Sequence, residues 1–205
     1  QDITDHNQVD QALRTALDRS REQFNLSRRM SLALKPEAVL KTLMSASKLR
    51  PAQCASVLLF DASSRVPSHE IEIIASWSSV SYPASPAMNE SMDEAAFFED
   101  LAILDLVHPS KPVIVSDIAK DQRLTPPVKI LLERVQIQTL VIFPMVALRN
   151  WLGCLVAFFP QVMQFEPIEV RHIKVLIDQA AITLYNLQLL QAEAESRHEA
   201  ERANE

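Results

Sequence analysis

The sequence predicts a mixed chain of the α+β class, with a meandering antiparallel sheet and a long helix at each end. Three observations carry that prediction. Thr139 to Phe159, TLVIFPMVALRNWLGCLVAFF, is two β-branched and aromatic runs parted by the polar pair Arg149-Asn150. Cys54–Phe60 and Glu70–Trp77 read as two further strands, the second alternating polar and apolar at first. Both end segments keep helical spacing, with no proline or glycine from Asn7 to Leu34 or after Pro167.

The stretch from Thr139 to Phe159 anchors the reading. Arg149 is the only formal charge between Gln136 and Phe165, so both runs are expected to be buried. Apolar runs broken by a short polar turn predict a β-hairpin, and Asn150 tolerates the positive φ such turns need. The competing reading is a transmembrane helix of similar length. It would place Arg149 and Asn150 at mid-membrane and Pro144 inside the helix, both costly. The hairpin is therefore placed at the centre of the sheet. Pro144 sits awkwardly there, since proline removes a ladder donor and marks edges or bulges.

The elements follow in order. Gln1 to Asp5 reads as the end of a strand followed by a cap. From Asn7 to Leu34, Val9, Ala12, Ala16, Arg19, Gln23, Leu26, Met30 and Ala33 form a stripe of 3-and-4 spacing. Leu13, Leu17 and Phe24 form a second apolar side, so this helix is expected to touch two neighbours. Pro36 suits the first turn of a helix reaching about Leu49, with Val39, Leu40, Leu43 and Met44 inward. Ser78–Ser91, rich in Ser and Pro, reads as a long loop, either a binding lid or a plain insertion. Asp93 to Val107 reads as a helix, Pro112–Val115 as a short strand, and Pro126 to Val135 as another helix. In the last helix Ile173, Ile177, Ala180, Leu184, Leu187, Gln191 and Ala194 keep heptad spacing before the sequence turns polar. Such a helix makes sense as a rod whose seam pairs with a second copy.

Composition narrows the function. The 205 residues suit one domain with flanking segments, and 48% apolar content supplies a core. A net charge of −6 gives no electrostatic reason to expect nucleic acid or an anionic membrane. Cys54 and Cys154 fall inside strands rather than in a metal or redox spacing, which suits a reducing, cytoplasmic setting. No basic-then-apolar leader opens the sequence. Gly153 is the single glycine, which excludes Gly-rich phosphate loops and with them P-loop, Rossmann and kinase ATP-loop chemistry.

The order of elements resembles a GAF domain. PVIVSDIAKDQRL, VQIQTLVIFPM, NWLGCLVAFF and FEPIEVRHIKVLIDQAAITLYNLQL match that family's C-terminal half in order and spacing, and the likeness spans roughly Phe24 to Leu190. It implies a GAF/PAS-like antiparallel sheet with helices on both faces and long terminal signalling helices. Gln1-Asp-Ile-Thr and the following helix resemble the exit of a PAS domain into its linker. AESRHEAERANE is similar to the helix leading into the phosphoacceptor domain of sensor histidine kinases. The implied organisation is the end of a PAS-like domain at 1–5 and a linker and dimerisation helix at 6–34. A GAF domain follows at 35–190, then a linker helix at 191–205.

The family's known chemistries leave few candidates here. No cysteine lies between Cys54 and Cys154, so the bilin-attachment cysteine of phytochrome-like members is absent from that span. The Asn-Lys-Phe-Asp-Glu signature of cyclic-nucleotide members is absent too, as are the several loop cysteines of the methionine sulfoxide reductases. No cofactor is expected. Pocket candidates are Trp77, Phe97, Phe98, His108, Asp117 and Phe143. Each has a plainer alternative: core packing for the aromatics, a surface cap for His108, a turn cap for Asp117. His172 reads as solvated. His198-Glu199 lacks the Arg-Thr-Pro that follows a phosphoacceptor pair. No nucleophile–base pair or metal cluster points to an enzyme.

The expectation is a non-catalytic sensory or relay module of a cytoplasmic two-component protein, its parent a sensor histidine kinase. It would dimerise through Val9, Ala16, Leu26, Ile177, Leu184 and Leu187, between an upstream PAS and a downstream output domain, without nucleic acid or membrane insertion. The alternative is a switch with a specific small-molecule pocket.

Overall fold

The computed structural model describes residues 2–60, 71–79, 98 and 106–202. Its elements are α1 (Asp2–Ser31), α2 (Pro36–Leu43), β1 (Cys54–Phe60), β2 (Ile71–Ser78), β3 (Val113–Val115), α3 (Pro126–Arg134), β4 (Thr139–Ala147), β5 (Asn150–Phe159) and α4 (Pro167–Arg202). The strands form one antiparallel sheet in the order β2-β1-β5-β4-β3. The β4–β5 hairpin therefore holds the middle of the sheet, with β5 the central strand.

Alternation along the strands divides two cores. Val141, Phe143 and Met145 of β4, with Leu155, Ala157 and Phe159 of β5, face the helices. There they meet Val39, Leu40 and Leu43 of α2 and Ile173, Ile177, Ala180 and Leu184 of α4. α1 adds Leu26 and Met30 and packs mainly on α2 and α4. Leu140, Ile142, Cys154, Val156 and Phe158 face the other way, onto Phe98, Ile118, Leu124 and the α3 residues Val128 and Leu132. Helices thus cover both faces.

Three boundaries differ from the sequence reading. Gln1–Asp5 was expected as a strand end, yet α1 is helical from Asp2, because nothing in the stretch breaks a helix. α2 stops at Leu43 rather than Leu49, where the Ser45 hydroxyl donates to the Thr42 carbonyl at 2.6 Å and turns replace the helix. The hairpin turn is Leu148-Arg149, not Arg149-Asn150. Both turn residues have positive φ, 50° and 69°, while Asn150 already pairs with Ala147 in the ladder. Two left-handed residues match the twist of the flanking strands. Pro144, whose place in the sheet called for an edge or a bulge, lies past Ile142, the last β4 residue paired to β3, and one residue before a bulge at Met145/Val146. Its missing N–H therefore falls where the ladder is already loosening. The expected loop at Ser78–Ser91 lies outside the described residues beyond Ser79. Of the expected Asp93–Val107 helix only Phe98, Leu106 and Val107 are described.

Candidate functional site

The six pocket candidates do not converge. Phe98 is buried in the distal core, its ring centroid 6.2 Å from that of Phe158. Phe143 is wholly buried and Trp77 half-buried on the opposite side, the one covered by α1, α2 and α4, because strand alternation turns them there. Phe97 lies outside the described residues. His108 is exposed, and its Nδ1 accepts the Ser110 N–H at 3.1 Å. Asp117 follows β3, with its carboxylate 2.7 Å from Lys120 Nζ. That ammonium, helped by the Lys120 and Ala119 N–H groups, holds the carboxyl below its ordinary value. Asp117 therefore closes a turn, as its backbone carbonyl also does by accepting the Asp121 N–H at 3.1 Å.

The distal face carries one polar pair that sequence reading missed. The Ser56 and Ser76 hydroxyls meet across β1 and β2 at 3.2 Å, and alternation puts Ser56 on the side of Cys54 and Leu58. Cys154 on the same face is fully buried, and burial raises its thiol far above the ordinary cysteine range. It is an inert core residue. Among the described residues no group of three or more His, Cys, Asp or Glu stands together to hold a metal ion.

A second polar cluster lies on the helix side, where α1, the turn after α2 and the start of α4 meet. A cleft of about 160 Å³ opens there, walled by Arg19, Glu22, Ser47, Lys48, Glu169 and His172. The Glu22 carboxylate accepts the Ser47 N–H at 2.8 Å and its hydroxyl at 3.1 Å. Lys48 Nζ stands 2.9 Å from Glu169 Oε1, while Glu169 Oε2 accepts the Glu166 N–H at 3.0 Å and so satisfies a donor at the start of α4. Burial pushes the Glu169 carboxyl up, but Lys48 and the Glu166 N–H outweigh it and hold the group below its ordinary value. His172, read as solvated, is half-buried in this cleft. His198 is exposed, 3.7 Å from Glu201.

The helix residues expected to pair two copies divide sharply. Leu26, Ile177 and Leu184 are buried in the chain's own core, and Leu187 is half-buried against it. Their 3-and-4 stripe is the face by which α1 and α4 hold this domain together, a correction that follows from helix amphipathicity. Ala16 is exposed, and the Val9 side chain lies outside the described residues. Leu13, Leu17 and Phe24 of α1, and Ile168, Val175, Ile182, Leu189 and Leu190 of α4, are the large apolar residues of these helices left exposed among the described residues. No helix among the described residues is long and apolar enough to cross a membrane.

Comparison with known proteins agrees with this architecture. Residues 8–184 match the family model for the GAF domain. No curated protein matches the sequence. Among solved structures, the GAF domain of a protein designated a sensor histidine kinase from Pseudomonas syringae pv. tomato superposes with a TM-score of 0.57 at 12% identity, covering 92% of this chain and 99% of that one. The GAF domain of a phosphoenolpyruvate-protein phosphotransferase from Coxiella burnetii gives 0.61 at 14% identity, covering 86% and 98%. The phycocyanobilin-bound GAF domain of a cyanobacterial phytochrome gives 0.56 at 17% identity, covering 82% and 96%. At these identities the likeness is one of fold, and with the family match it leads to one conclusion: the chain belongs to the GAF domain family.

Proposed function

We propose that this chain is a non-catalytic sensory and relay module of a cytoplasmic signalling protein, with a two-component sensor histidine kinase as its parent. α1 brings a signal from an upstream PAS-like domain, and α4 carries it to a downstream output domain. Two copies pair through these helices, and a small change in helix crossing or register is the message. One observation carries the reading. Adjacent residues of a single turn, Ser47 and Lys48, hold α1 through Glu22 and α4 through Glu169, so the two helices share one rigid support. Sedimentation of the chain at high micromolar concentration tests the pairing, and a clean monomer would sink it. Nucleic acid and membrane are not among the proposed partners, and nothing in the net charge of −6 attracts either.

A second reading has its own support in the Ser56–Ser76 hydroxyl pair, a polar pair on a largely apolar sheet face. It makes the domain a switch for a small apolar ligand oriented by these hydroxyls. Native mass spectrometry of the purified chain checks it, since a ligand retained in stoichiometric amount and lost in Ser56→Val would carry the reading. Covalent tetrapyrrole attachment is not proposed, because both thiols are buried in β1 and β5.

A further inference from the structure

The cleft where α1, the turn after α2 and the start of α4 meet lies on the side of the sheet away from the Ser56–Ser76 pair. Helical spacing builds it. Glu169, His172, Ile173 and Leu176 stand at successive 3-and-4 steps along α4, and Arg19, Glu22 and Gln23 do the same on α1. Ala46, Ile173 and Leu176 belong to the core beneath, so the cleft opens onto an apolar floor. Its walls are charged.

The balance of those charges selects a ligand. Lys48 and Glu169 neutralise each other at 2.9 Å. Arg19 and Glu22, three residues apart on one face of α1, are within reach of pairing, yet no ion pair joins them. Glu22 turns instead to Ser47, whose N–H and hydroxyl are uncharged donors. Among the described residues neither the Arg19 guanidinium nor the His172 ring has a hydrogen-bond or ion-pair partner, and both residues are half-buried. A guanidinium that loses water and gains no partner is costly, and its planar fork fits a carboxylate. A plain anion set there would also meet the charges of Glu22 and Glu169, which repel it. A molecule carrying its own ammonium removes that repulsion, because each Glu22 oxygen keeps a second lone pair able to accept. Size narrows the class further. A closed apolar cavity of about 150 Å³ holds benzene, so about 160 Å³ suits roughly six to eight non-hydrogen atoms, the span from alanine to valine.

We propose that this cleft binds a small zwitterion, an α-amino acid with a short apolar side chain. Its carboxylate sits on Arg19 and His172, its ammonium on Glu22, and its side chain against Ile173 and Leu176. The relay reading gives Arg19 and His172 no role, and the switch reading places its ligand on the opposite face of the sheet. A molecule held this way touches α1 and α4 together and stabilises the folded chain by mass action.

Titration of the whole chain with L-valine, followed by amide NMR and by melting temperature, tests the site. Saturable shifts are expected at the Ser47 and Lys48 amides and around His172, with a dissociation constant on the order of 1 mM for so small a ligand. Arg19→Gln should keep its fold by circular dichroism and bind valine about 10-fold more weakly. Isovalerate, which lacks the ammonium, and isobutylamine, which lacks the carboxylate, should each lose about 10-fold as well. Arg134→Gln, at an exposed cation on α3 across the sheet, should bind valine as the wild type does. A folded chain showing no saturation by about 20 mM valine would overturn the site. So would unchanged binding in Arg19→Gln, or shifts centred on Ser56 and Ser76. Isovalerate binding as tightly as valine would overturn the zwitterion and leave a plain anion site.

Discussion

Lys48 Nζ lies 2.9 Å from Glu169 Oε1, and this ion pair fixes the start of α4 to the same turn that holds α1. The carboxylate is mostly shielded, with a side-chain exposure of 14%, whereas its lysine partner is 37% exposed. Ser47, next in the chain, binds Glu22 with both its N–H and its hydroxyl. The arriving and leaving helices are thus tied to neighbouring residues of one turn.

Glu169→Gln should lower the melting temperature by about 2–4 °C at neutral pH, corresponding to about 1 kcal/mol for a shielded charge-assisted pair. The pH dependence has a definite sign. Glu169 is held below its ordinary value of 4.5, so its contribution is complete above that pH and is lost as pH falls through the depressed value. Asp117, held down by Lys120, and Asp121, held down by Arg123, act in the same direction. Thermal melts across the acid range should therefore show the gap between wild type and Glu169→Gln closing on acidification. A constant gap would mean that shape, not charge, sets the loss.

Thr139 makes a second junction. Its buried hydroxyl donates to the Ser116 carbonyl at 2.7 Å and accepts the Met163 N–H at 2.8 Å. One side chain thus ties the loop after β3, the first residue of β4 and the approach to α4. Thr139→Val keeps the shape but strands two backbone groups, so urea unfolding should show a loss of about 2–3 kcal/mol. Thr139→Ser should restore most of it. A loss in Thr139→Ser as large as that in Thr139→Val would show that the methyl group counts as much as the two hydrogen bonds.

The sheet was the legible part of this chain, because strand alternation and the long apolar hairpin are written in consecutive residues. Phe143 against Ile142 shows where legibility ended. Sequence reading recognised both as buried, but which face each takes depends on register, and a shift of one residue exchanges them. The same limit applies to the helices. The stripe through Leu26, Ile177 and Leu184 has the spacing of a seam, and nothing local says whether the partner is another copy or the sheet beneath. Glu22, Ser47, Lys48 and Glu169 were invisible for a different reason: they are scattered in sequence and meet only when three elements pack. No spacing rule announces such a cluster.

Gly153 of β5 is paired with Leu59 of β1, with no room for a side chain between the strands. A Cβ there would lie 2.8 Å from the Leu59 Cα and collide with the Leu58 carbonyl oxygen. Neither obstacle is a movable side-chain tip, and both belong to the centre of the sheet. Gly153→Ala should therefore cost more than about 4 kcal/mol, beyond the usual range for a point substitution. Chemical denaturation, or loss of soluble protein on expression, reads the outcome. A variant within 1 kcal/mol of wild type would show that β1 and β5 can separate locally at little cost.

With its one glycine committed there, the chain turns corners elsewhere with residues poorly suited to them. Gln136 ends α3 at φ 60°, in a Schellman cap where the Gln136 N–H reaches the Glu133 carbonyl at 3.0 Å and the Ile137 N–H reaches that of Leu132 at 2.9 Å. Leu148 and Arg149 turn the central hairpin at positive φ, and Leu148 is 73% exposed with nothing apolar to gain. Left-handed backbone costs a residue with a Cβ about 1–2 kcal/mol, a penalty that glycine escapes and asparagine feels less. Gln136→Gly, and separately Leu148→Asn with Arg149→Gly, should each stabilise the fold by about 1 kcal/mol and raise the melting temperature by about 2–4 °C. Because the sites lie on different elements, the gains should add when combined. Calorimetry on the two variants and their combination decides the matter, and a loss of stability at either site would show that its side chain makes a contact outweighing the strain.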